Sequence, residues 1–300
     1  MKFSIITPAR NGLDHLRRCI GSVRGQVGME AEHLVMDGGS TDGTVAWLTQ
    51  WQSGRSLEWT SGPDRGMYDA IDKGWERAQG DVLSWLNCDE QYLPGTLARV
   101  AEAFASDPSL DVVFGDTLIV AADGSPVAAR REIPLRAPYV KNGFLYALSC
   151  STFFRRRLWD QGLLRLDNRY RYAADMDLML RLLANGKKVS HVPFYFGLFG
   201  VDGGNASSTR AGEMAKEIEL VRQCHDAQPP ALRLPYRALR CLERLLRGCY
   251  RSATANYAFA LDEEPHYRQF QSARVGFRFT YARAARRPLA AGTPSLVGST

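Results

Sequence analysis

Residues 34–43 read LVMDGGSTDG, and residues 82–90 read VLSWLNCDE. In each stretch a short apolar run, which is typical of a buried strand, ends in acidic residues. Ligands of an open α/β sheet bind outside the carboxyl ends of its strands, so two such motifs would meet at one cleft. We therefore expect Asp37 and Asp89 to mark a ligand-binding edge of the sheet.

Strand and helix signals alternate throughout the first 120 residues. Apolar runs typical of strands occur at 3–7, 32–36, 57–60, 82–86 and 112–114. Segments with helical spacing of apolar residues separate these runs, and Pro8 is expected to end the first strand. The alternation predicts an α/β fold in which a mostly parallel sheet is covered by helices on both faces.

The chain changes character beyond residue 120. A hairpin is predicted at 117–127, a helix at 175–185 and a strand at 189–199, followed by a flexible loop at 202–205. From residue 211 onward the alternation stops. We therefore expect an α/β domain over 1–210 and a basic helical C-terminal extension over 211–300, which frays from about residue 286.

Charge and composition restrict the classes of partner. The formal net charge is +6, and most of the excess arginine lies beyond about residue 130. Such a charge is compatible with nucleic acid, an anionic membrane surface or phosphorylated small molecules. The six cysteines show no CxxC spacing, and we find neither a leader peptide nor an apolar run of about eighteen residues. We therefore expect a cytoplasmic protein.

A predicted helix at 235–251 separates its charges from its apolar residues. One face carries Arg237, Arg240, Arg244, Arg247 and Arg251, and the opposite face carries a stripe of leucines with a cysteine. Two interpretations stay open. The leucines can pack on the α/β domain and leave the arginines in solvent, or the arginines can dock on the anionic inner leaflet, at about 1 kcal/mol for each basic residue.

The two acidic motifs suit different chemistry. A strand-end carboxylate such as Asp89 fits Mg²⁺ or Mn²⁺, which take oxygens from side chains and from pyrophosphate together. The alternative is that Asp89 is an acid of the turn before Pro94. Asp37 precedes two glycines that let a ligand approach closely, and it can accept a hydrogen bond from a base or a ribose. The alternative is an ordinary strand–helix turn.

Two further acidic segments are candidates for the same cleft. In the loop at 62–66, Asp64 and Arg65 can bind base, ribose or phosphate, unless the loop is merely solvated. Asp175 and Asp177 open a predicted helix, where the helix dipole stabilises acids. Because they are two residues apart they point in different directions. We expect Asp175 to face the cleft as a general base.

The order of these motifs resembles the family 2 glycosyltransferases of the GT-A fold. The resemblance rests on residues 5–11 (IITPARN), 35–44 (VMDGGSTDGT), 80–90 (GDVLSWLNCDE) and 175–182 (DMDLMLRL). It covers about residues 2–210. Residues 66–70 (GMYDA), with Lys73-Gly74, resemble the branch that builds bacterial exopolysaccharides and O-antigen-type glycans.

The resemblance implies an inverting transfer from a nucleotide-sugar donor, with a UDP-sugar expected, to a glycan or lipid-linked acceptor. It implies a nucleotide-binding half at 1–120, an acceptor half at 121–210 and a divalent metal, Mn²⁺ or Mg²⁺. Asp89 is the implied metal ligand and Asp175 the implied catalytic base. The donor is expected to contact a set of seven residues: Pro8, Arg10, Asp37, Asp64, Arg65, Asn87 and Cys88.

Two other functions compete with this one. A sugar-nucleotide pyrophosphorylase would carry a glycine-rich GxGxRL segment near its start, and residues 7–11 (TPARN) do not match it. A basic nucleic-acid-binding protein would interleave arginines with aromatic residues on one surface. The arginine face at 235–251 supplies the charge, but such a protein needs no acidic cleft. We therefore expect no nucleic acid among the partners.

Overall fold

The computed structural model of the protein describes residues 1–51, 57–121, 123–201, 209–251, 253–260 and 265–272. The loop predicted at 202–205 and the frayed end predicted from residue 286 lie outside these residues. The described part is an α/β structure built on one large sheet and a separate two-stranded hairpin.

The large sheet has nine strands within the described residues. They are β1 (Lys2–Ala9), β2 (Glu30–Asp37), β3 (Leu57–Ser61), β4 (Val82–Trp85), β5 (Glu90–Tyr92), β6 (Val112–Ala121), β7 (Pro126–Arg130), β8 (Thr152–Arg155) and β9 (Val189–Val201). The helices are α1 (Leu13–Arg24), α2 (Thr44–Trp51), α3 (Met67–Arg77), α4 (Thr96–Ser106), α5 (Ala137–Asn142), α6 (Arg157–Asp160), α7 (Ala174–Ala184), α8 (Ala211–Cys224) and α9 (Leu234–Leu246).

The strand order is β3-β2-β1-β4-β8-β6-β9-β5, with β7 paired to β6. β3, β2, β1 and β4 are mutually parallel, and β8 runs antiparallel between β4 and β6. β6 and β9 are parallel to each other and share the direction of the first four strands. The carboxyl ends of β1 to β4 therefore meet at one edge of the sheet, as we predicted from the two acidic motifs.

Strand β1 continues through Pro8, so the prediction that Pro8 ends this strand is wrong. Its pairing with β2 runs to Ala9 opposite Asp37, whereas its pairing with β4 stops at Ile6 opposite Trp85. The carbonyl of Ile6 accepts from Leu86 on the β4 side, and alternation turns Pro8 to that same side. The missing N–H of Pro8 therefore costs no ladder hydrogen bond, because β4 has already turned away.

The core beneath this edge is aromatic and tightly packed. Trp75 of α3 lies edge-on to Trp85 of β4 with centroids 5.5 Å apart, and Trp85 stacks on Phe154 of β8 at 5.7 Å. Gly74 lets helix α3 approach the sheet closely, since a Cβ at this position would lie 2.4 Å from the side chain of Ile6. This contact fixes α3, and with it the residues of its first turn, against β1.

Helix α9 is turned the opposite way from either interpretation of the sequence. Arg240 and Arg244 are only 6% and 8% exposed, whereas Leu242 and Leu246 are 50% and 79% exposed. Arg240 donates to Glu132 at 2.6 Å, and Arg244 donates to the carbonyl of Arg131 at 2.8 Å. The predictions of a packed leucine stripe and of a solvated or membrane-facing arginine face are therefore wrong for these residues.

The C-terminal extension is not purely helical, and the prediction is wrong in this respect. After α9 the chain forms β10 (Ala253–Ala260) and β11 (Pro265–Ser272), which pair antiparallel as a hairpin. The Tyr257 hydroxyl donates to the carbonyl of Gly124 at 2.7 Å and so ties this hairpin to the turn between β6 and β7. The boundary drawn at 210 stays a prediction.

None of the helices in the described residues has both the length and the apolar character needed to cross a membrane.

Candidate active site

Hydrogen bonds of the backbone and of one side chain hold the ends of three strands together. The amide of Gly38 donates to Ala9 at 2.8 Å, and the amide of Gly62 donates to Asp37 at 3.0 Å. Asn11 joins the loops after β1 and β2, because its side chain accepts from the amide of Thr41 at 2.8 Å. The loops after β1, β2 and β3 therefore form one continuous edge.

Asp37 organises the loop after β2. It is buried, and its carboxylate accepts from the amides of Gly39 and Ser40 at 3.1 and 3.0 Å and from the hydroxyl of Ser61 at 2.6 Å. The hydroxyl of Ser40 also donates to it. The expected contact between Asp37 and a base or ribose stays a prediction. What the geometry adds is that Asp37 shapes the glycine loop.

Gly38 brings Arg10 and Asp64 to the same point. A Cβ on Gly38 would lie 2.5 Å from the carboxylate of Asp64 and 3.5 Å from the side chain of Arg10. The sulfur of Cys88 lies beside the loop after β1, 3.3 Å from the position that a Cβ on Gly12 would occupy. Three residues predicted to touch the donor, Arg10, Asp64 and Cys88, therefore come from three separate loops and lie against the loops after β1 and β2.

Arg65 is held by an acid of the following helix. Its guanidinium lies 2.7 Å from Asp69, and Lys73 lies 2.8 Å from the other carboxylate oxygen. Burial opposes the ionisation of Asp69, but the hydrogen bonds and charges of Lys73 and Arg65 outweigh it and lower the pKa of Asp69 to about 2. The Arg65 side chain stays exposed, so Asp69 orients it while the guanidinium still reaches solvent.

Asp89 lies in the turn directly after β4, where its side chain is half-buried. Its neighbour Glu90 is fully buried and closes the turn: it accepts from the amide of Asn87 at 3.0 Å and from Ser149 at 2.5 Å. Burial, with a further contribution from the Asp89 charge, raises the pKa of Glu90 to about 8. Glu90 thus supports the loop from below, and Asp89 is the acid left at its surface.

The oxygen atoms of this turn can hold a divalent cation only together with oxygen atoms of a bound ligand. Within the described residues no group of three His, Cys, Asp or Glu side chains could hold a metal ion by itself. Magnesium is commonly held by one or two carboxylates together with substrate phosphates. Asp89 fits that mode, and the buried Oδ1 of Asn87, which has no hydrogen-bond partner, is a second oxygen in the same turn.

Cys88 is not a thiolate ligand in this arrangement. Burial, with the charge of Asp89 next in weight, raises the pKa of the Cys88 thiol well above its usual value. The side chain therefore stays protonated and contributes packing beside Gly12. Its predicted contact with the donor would be apolar.

Asp175 occupies the first turn of α7 and contacts α3, the helix that follows the loop at 62–66. The hydroxyl of Tyr68, in the first turn of α3, lies 3.4 Å from its Oδ1, and the amide of Met176 donates to the same oxygen at 2.8 Å. Burial raises the pKa of Asp175 to about 6, and these two hydrogen bonds offset burial only in part. A carboxylate with such a pKa is ionised at neutral pH and can accept a proton.

Asp177 has a structural role, as its different direction on the helix predicted. Its carboxylate lies 2.7 Å from Arg181 and 2.8 Å from His225, which follows α8. Asp177 therefore joins α7 to the C-terminal extension, while Asp175 alone faces Tyr68.

Three residues of the site were not predicted from the sequence. Tyr68 and Asp69 lie in the GMYDA motif, but the motif alone did not show which residue either side chain contacts. Ser149 had no predicted role, and only the fold brings it next to Glu90, which lies 59 positions earlier in the chain. All three are polar side chains in the first turn of a helix, and such residues are too common to identify a site from sequence.

The chain matches the family described as "Glycosyl transferase family 2" over residues 4–161, just over half of its length. It is 38% identical over 114 residues to an uncharacterized glycosyltransferase of Mycobacterium tuberculosis, covering 37% of this chain and 43% of the relative. The alignment thus spans less than half of that relative.

Two further relatives carry names from glycan biosynthesis. A PGL/p-HBAD biosynthesis glycosyltransferase of Mycobacterium bovis is 32% identical over 194 residues, which are 61% of this chain and 70% of the relative. The O-antigen biosynthesis protein RfbC of Myxococcus xanthus is 27% identical over 241 residues, which are 75% of this chain and 18% of the relative.

Two solved structures share the fold. TarS 1-349 of S. aureus in complex with UDP-GlcNAc superposes with a TM-score of 0.57 at 18% identity, over 78% of this chain and 69% of TarS. The mannosyltransferase PcManGT of Pyrobaculum calidifontis, in complex with GDP-Man and Mn²⁺, gives 0.56 at 16% identity, over 81% and 75%. These similarities confirm the predicted GT-A-like α/β fold.

Proposed function

Because the chain belongs to glycosyltransferase family 2, we propose that it moves a sugar from a nucleotide-sugar donor to a hydroxyl of a glycan or lipid-linked acceptor, with inversion at the anomeric carbon. The observation that carries this proposal is the contact of Asp175 with Tyr68 at 3.4 Å. It brings a carboxylate with a pKa of about 6 to α3, which starts directly after the loop at 62–66 that we expect to bind the donor.

The donor would lie across the edge formed by β1 to β4. Asp37 and Asp64 offer carboxylates from two neighbouring loops, and Arg65 offers a charged guanidinium that Asp69 orients. Arg10 lies next to Gly38, where the absence of a Cβ leaves room beside Asp64. Pro8 is buried inside β1, so its part is to shape the loop that follows rather than to touch the donor over a large surface.

The leaving group of this reaction is a nucleoside diphosphate, which gains negative charge as the glycosidic bond to it breaks. A divalent cation would neutralise that charge, and Asp89 with Oδ1 of Asn87 would hold it together with phosphate oxygens. Glu90 and Ser149 fix the backbone of this turn, so that the carboxylate of Asp89 keeps its position.

Asp175 would take the proton of the acceptor hydroxyl. As the acceptor oxygen attacks the anomeric carbon from the face opposite the diphosphate, its proton passes to Oδ of Asp175 and the bonding electrons leave with the diphosphate. One displacement inverts the configuration at that carbon. A single base is enough for this reaction, which agrees with the use of Asp177 in binding Arg181 and His225.

We expect a UDP-sugar as the donor. The same fold holds UDP-GlcNAc in TarS and GDP-Man with Mn²⁺ in PcManGT, so it accommodates either base. A thermal-shift series with UDP-, GDP- and dTDP-sugars, each with and without Mn²⁺, identifies the donor, because a ligand of the folded state raises the melting temperature. A larger shift with a GDP-sugar would replace this expectation.

The acceptor is expected in polysaccharide or glycolipid biosynthesis. Relatives named for PGL/p-HBAD and O-antigen biosynthesis support this setting. Pyrophosphorylase activity and nucleic-acid binding gain no support from them.

The test of the proposal is donor turnover by an Asp89→Ala variant. Release of the nucleoside diphosphate in the presence of Mn²⁺ should lose most of its rate while the circular dichroism spectrum is unchanged. Asp160→Ala is the matched control, because Asp160 ends α6, which begins at the opposite edge where the amide of Arg156 donates to Asp81. Equal turnover by the two variants would disprove the role of Asp89.

A further inference from the structure

Helix α9 presents a continuous apolar face to solvent. Its exposed residues are Leu234, Ala238, Leu239, Leu242, Leu245 and Leu246, and Leu232 precedes the helix. At 100° per residue the six helical positions cover one side of the helix, and we call them the leucine face. Exposed leucines that lie together, rather than singly, mark an interaction surface.

The leucine face cannot turn inward, because the other side of α9 is anchored by charge. Arg240 lies 2.6 Å from Glu132, and its guanidinium also stacks over Tyr146 at 4.3 Å. Arg244 lies 3.8 Å from the same carboxylate. Rolling the helix would strip Glu132 of these cations, and breaking a buried ion pair is strongly destabilising. The outward direction of the leucines is therefore built into the fold.

The charges around the leucine face indicate what covers it. Glu243 is the single acidic residue in the sequence of α9, and it is occupied by Arg136 and Arg247 at 2.7 and 3.0 Å. Arg237 near the start of the helix, and Arg247 and Arg251 after its end, are exposed. A second copy of this face would bring arginines against arginines, whereas an anionic lipid surface would attract them.

We propose that the leucine face of α9 inserts into the interfacial region of an anionic lipid bilayer. An amphipathic helix lying in the plane of the membrane buries its apolar face among the acyl chains and keeps its cations near the headgroups. Long arginine side chains reach that level even when their stems lie deeper. The arginines that are buried against Glu132 hold α9 on the rest of the protein, and the leucines would hold α9 in the lipid.

This surface is linked to the proposed base. Helix α5 packs against both α9 and α7, and Arg136, which precedes α5, binds Glu243 of α9 through two hydrogen bonds of 2.8 and 2.7 Å. The leucine face thus belongs to the helical layer that carries Asp175. For a lipid-linked acceptor, which rests on the proposed function, bilayer contact would bring the acceptor and the base to one side of the molecule.

The experiment is flotation of the full-length protein with vesicles of phosphatidylcholine alone and of phosphatidylcholine mixed with phosphatidylglycerol. Wild type should float with the anionic vesicles. In a variant combining Leu239→Gln, Leu242→Gln and Leu246→Gln, the fraction of protein that floats with anionic vesicles should fall at least about tenfold. The three side chains no longer bury apolar surface in the lipid. Leu220→Gln is the matched control, since Leu220 is an equally exposed leucine of α8 outside the leucine face; it should bind like wild type.

The charge contribution is measured with Arg237→Gln combined with Arg247→Gln. This variant should bind anionic vesicles less at low salt and approach wild type at high salt, where screening has already removed the attraction. If wild type stays in the soluble fraction with both vesicles, or if the leucine variant floats as wild type does, the proposal is wrong. Sedimentation velocity without lipid decides the alternative, because a dimer lost in the leucine variant would assign the face to a second copy.

Donor hydrolysis in solution keeps this test separate from the proposed function. The leucine variant should release nucleoside diphosphate at the wild-type rate when no vesicle is present. Absence of donor turnover in both proteins, with flotation intact, would reject the proposed chemistry and leave the membrane surface standing.

Discussion

Burial opposes the ionisation of both Asp175 and Glu132, yet the groups that surround the two acids are opposite in kind. The donors to Asp175 are uncharged, namely the hydroxyl of Tyr68 and the amide of Met176, and burial raises its pKa to about 6. Burial also opposes ionisation of Glu132, but the charges of Arg130, Arg240 and Arg244 outweigh it and lower the pKa of Glu132.

The difference separates a reactive acid from a structural one. A carboxylate that no cation stabilises can accept a proton near neutral pH, which a general base requires. A carboxylate surrounded by arginines does not give up its charge, and its value lies in holding α9 on the α/β core. Burial acts on both acids and so does not distinguish them. The charges beside each carboxylate decide whether its pKa is raised or lowered, and with it the role of the acid.

The largest expected effect is the loss of sugar transfer in Asp175→Asn. General-base assistance is typically worth about 10²–10⁴-fold in rate, so transfer should fall by that factor while donor affinity changes little. Initial rates with the acceptor and calorimetric titration with the donor measure the two quantities. Asp160→Asn is the control at an exposed acid. An equal loss of donor affinity would instead make Asp175 a nucleotide contact.

Glu132→Gln should act on stability instead. It leaves the arginines around it without a countercharge, and breaking a buried ion pair costs about 3–5 kcal/mol. Urea unfolding should show this loss, while transfer per folded molecule stays near wild type. Glu102→Gln breaks the exposed pair with Arg99 and should change the unfolding free energy by less than about 1 kcal/mol. Similar values for both variants would contradict the comparison.

The two acids should respond to acidification over different pH ranges, Asp175 around its raised pKa and Glu132 only below pH 4.5. Asp175 must be ionised to act, so transfer should fall about tenfold per pH unit below its pKa of about 6. The pKa of Glu132 is lowered from 4.5, so its stabilising contribution is complete above pH 4.5 and is lost as the pH falls through the folded-state value. Rate profiles and urea titrations across pH test this. A flat rate between pH 5 and pH 7 would be incompatible with Asp175 as base.

The smallest expected effect belongs to Tyr68→Phe. The hydrogen bond from Tyr68 favours the ionised form of Asp175, so its removal should move the midpoint of the pH–rate profile above about 6. At 3.4 Å the bond is long, and a loss of about 0.5–1.5 kcal/mol, or up to about tenfold in rate, is expected. A midpoint displaced toward lower pH would show that Tyr68 does not support the charge.

The parallel half of the fold followed from local pattern. Apolar runs followed by acidic turns located β2 and β4, and helical periodicity located α3 and α7 within a few residues. These signals are local because a strand or helix needs a face of apolar residues wherever it packs. Strand β5 has three residues, too few to show a period, and the hairpin β10–β11 lies in the segment that was predicted to be helical.

The sequence by itself determined that Asp37, Asp64, Asp89 and Asp175 follow strands or begin helices, because turn and helix-end chemistry is written in neighbouring residues. It also determined that the helix near residue 240 has an arginine face and a leucine face. Which face turns inward was decided only by the tertiary structure. The countercharge that buries Arg240 is Glu132, 108 positions away, and a period of 3.6 residues carries no information about a partner at that distance.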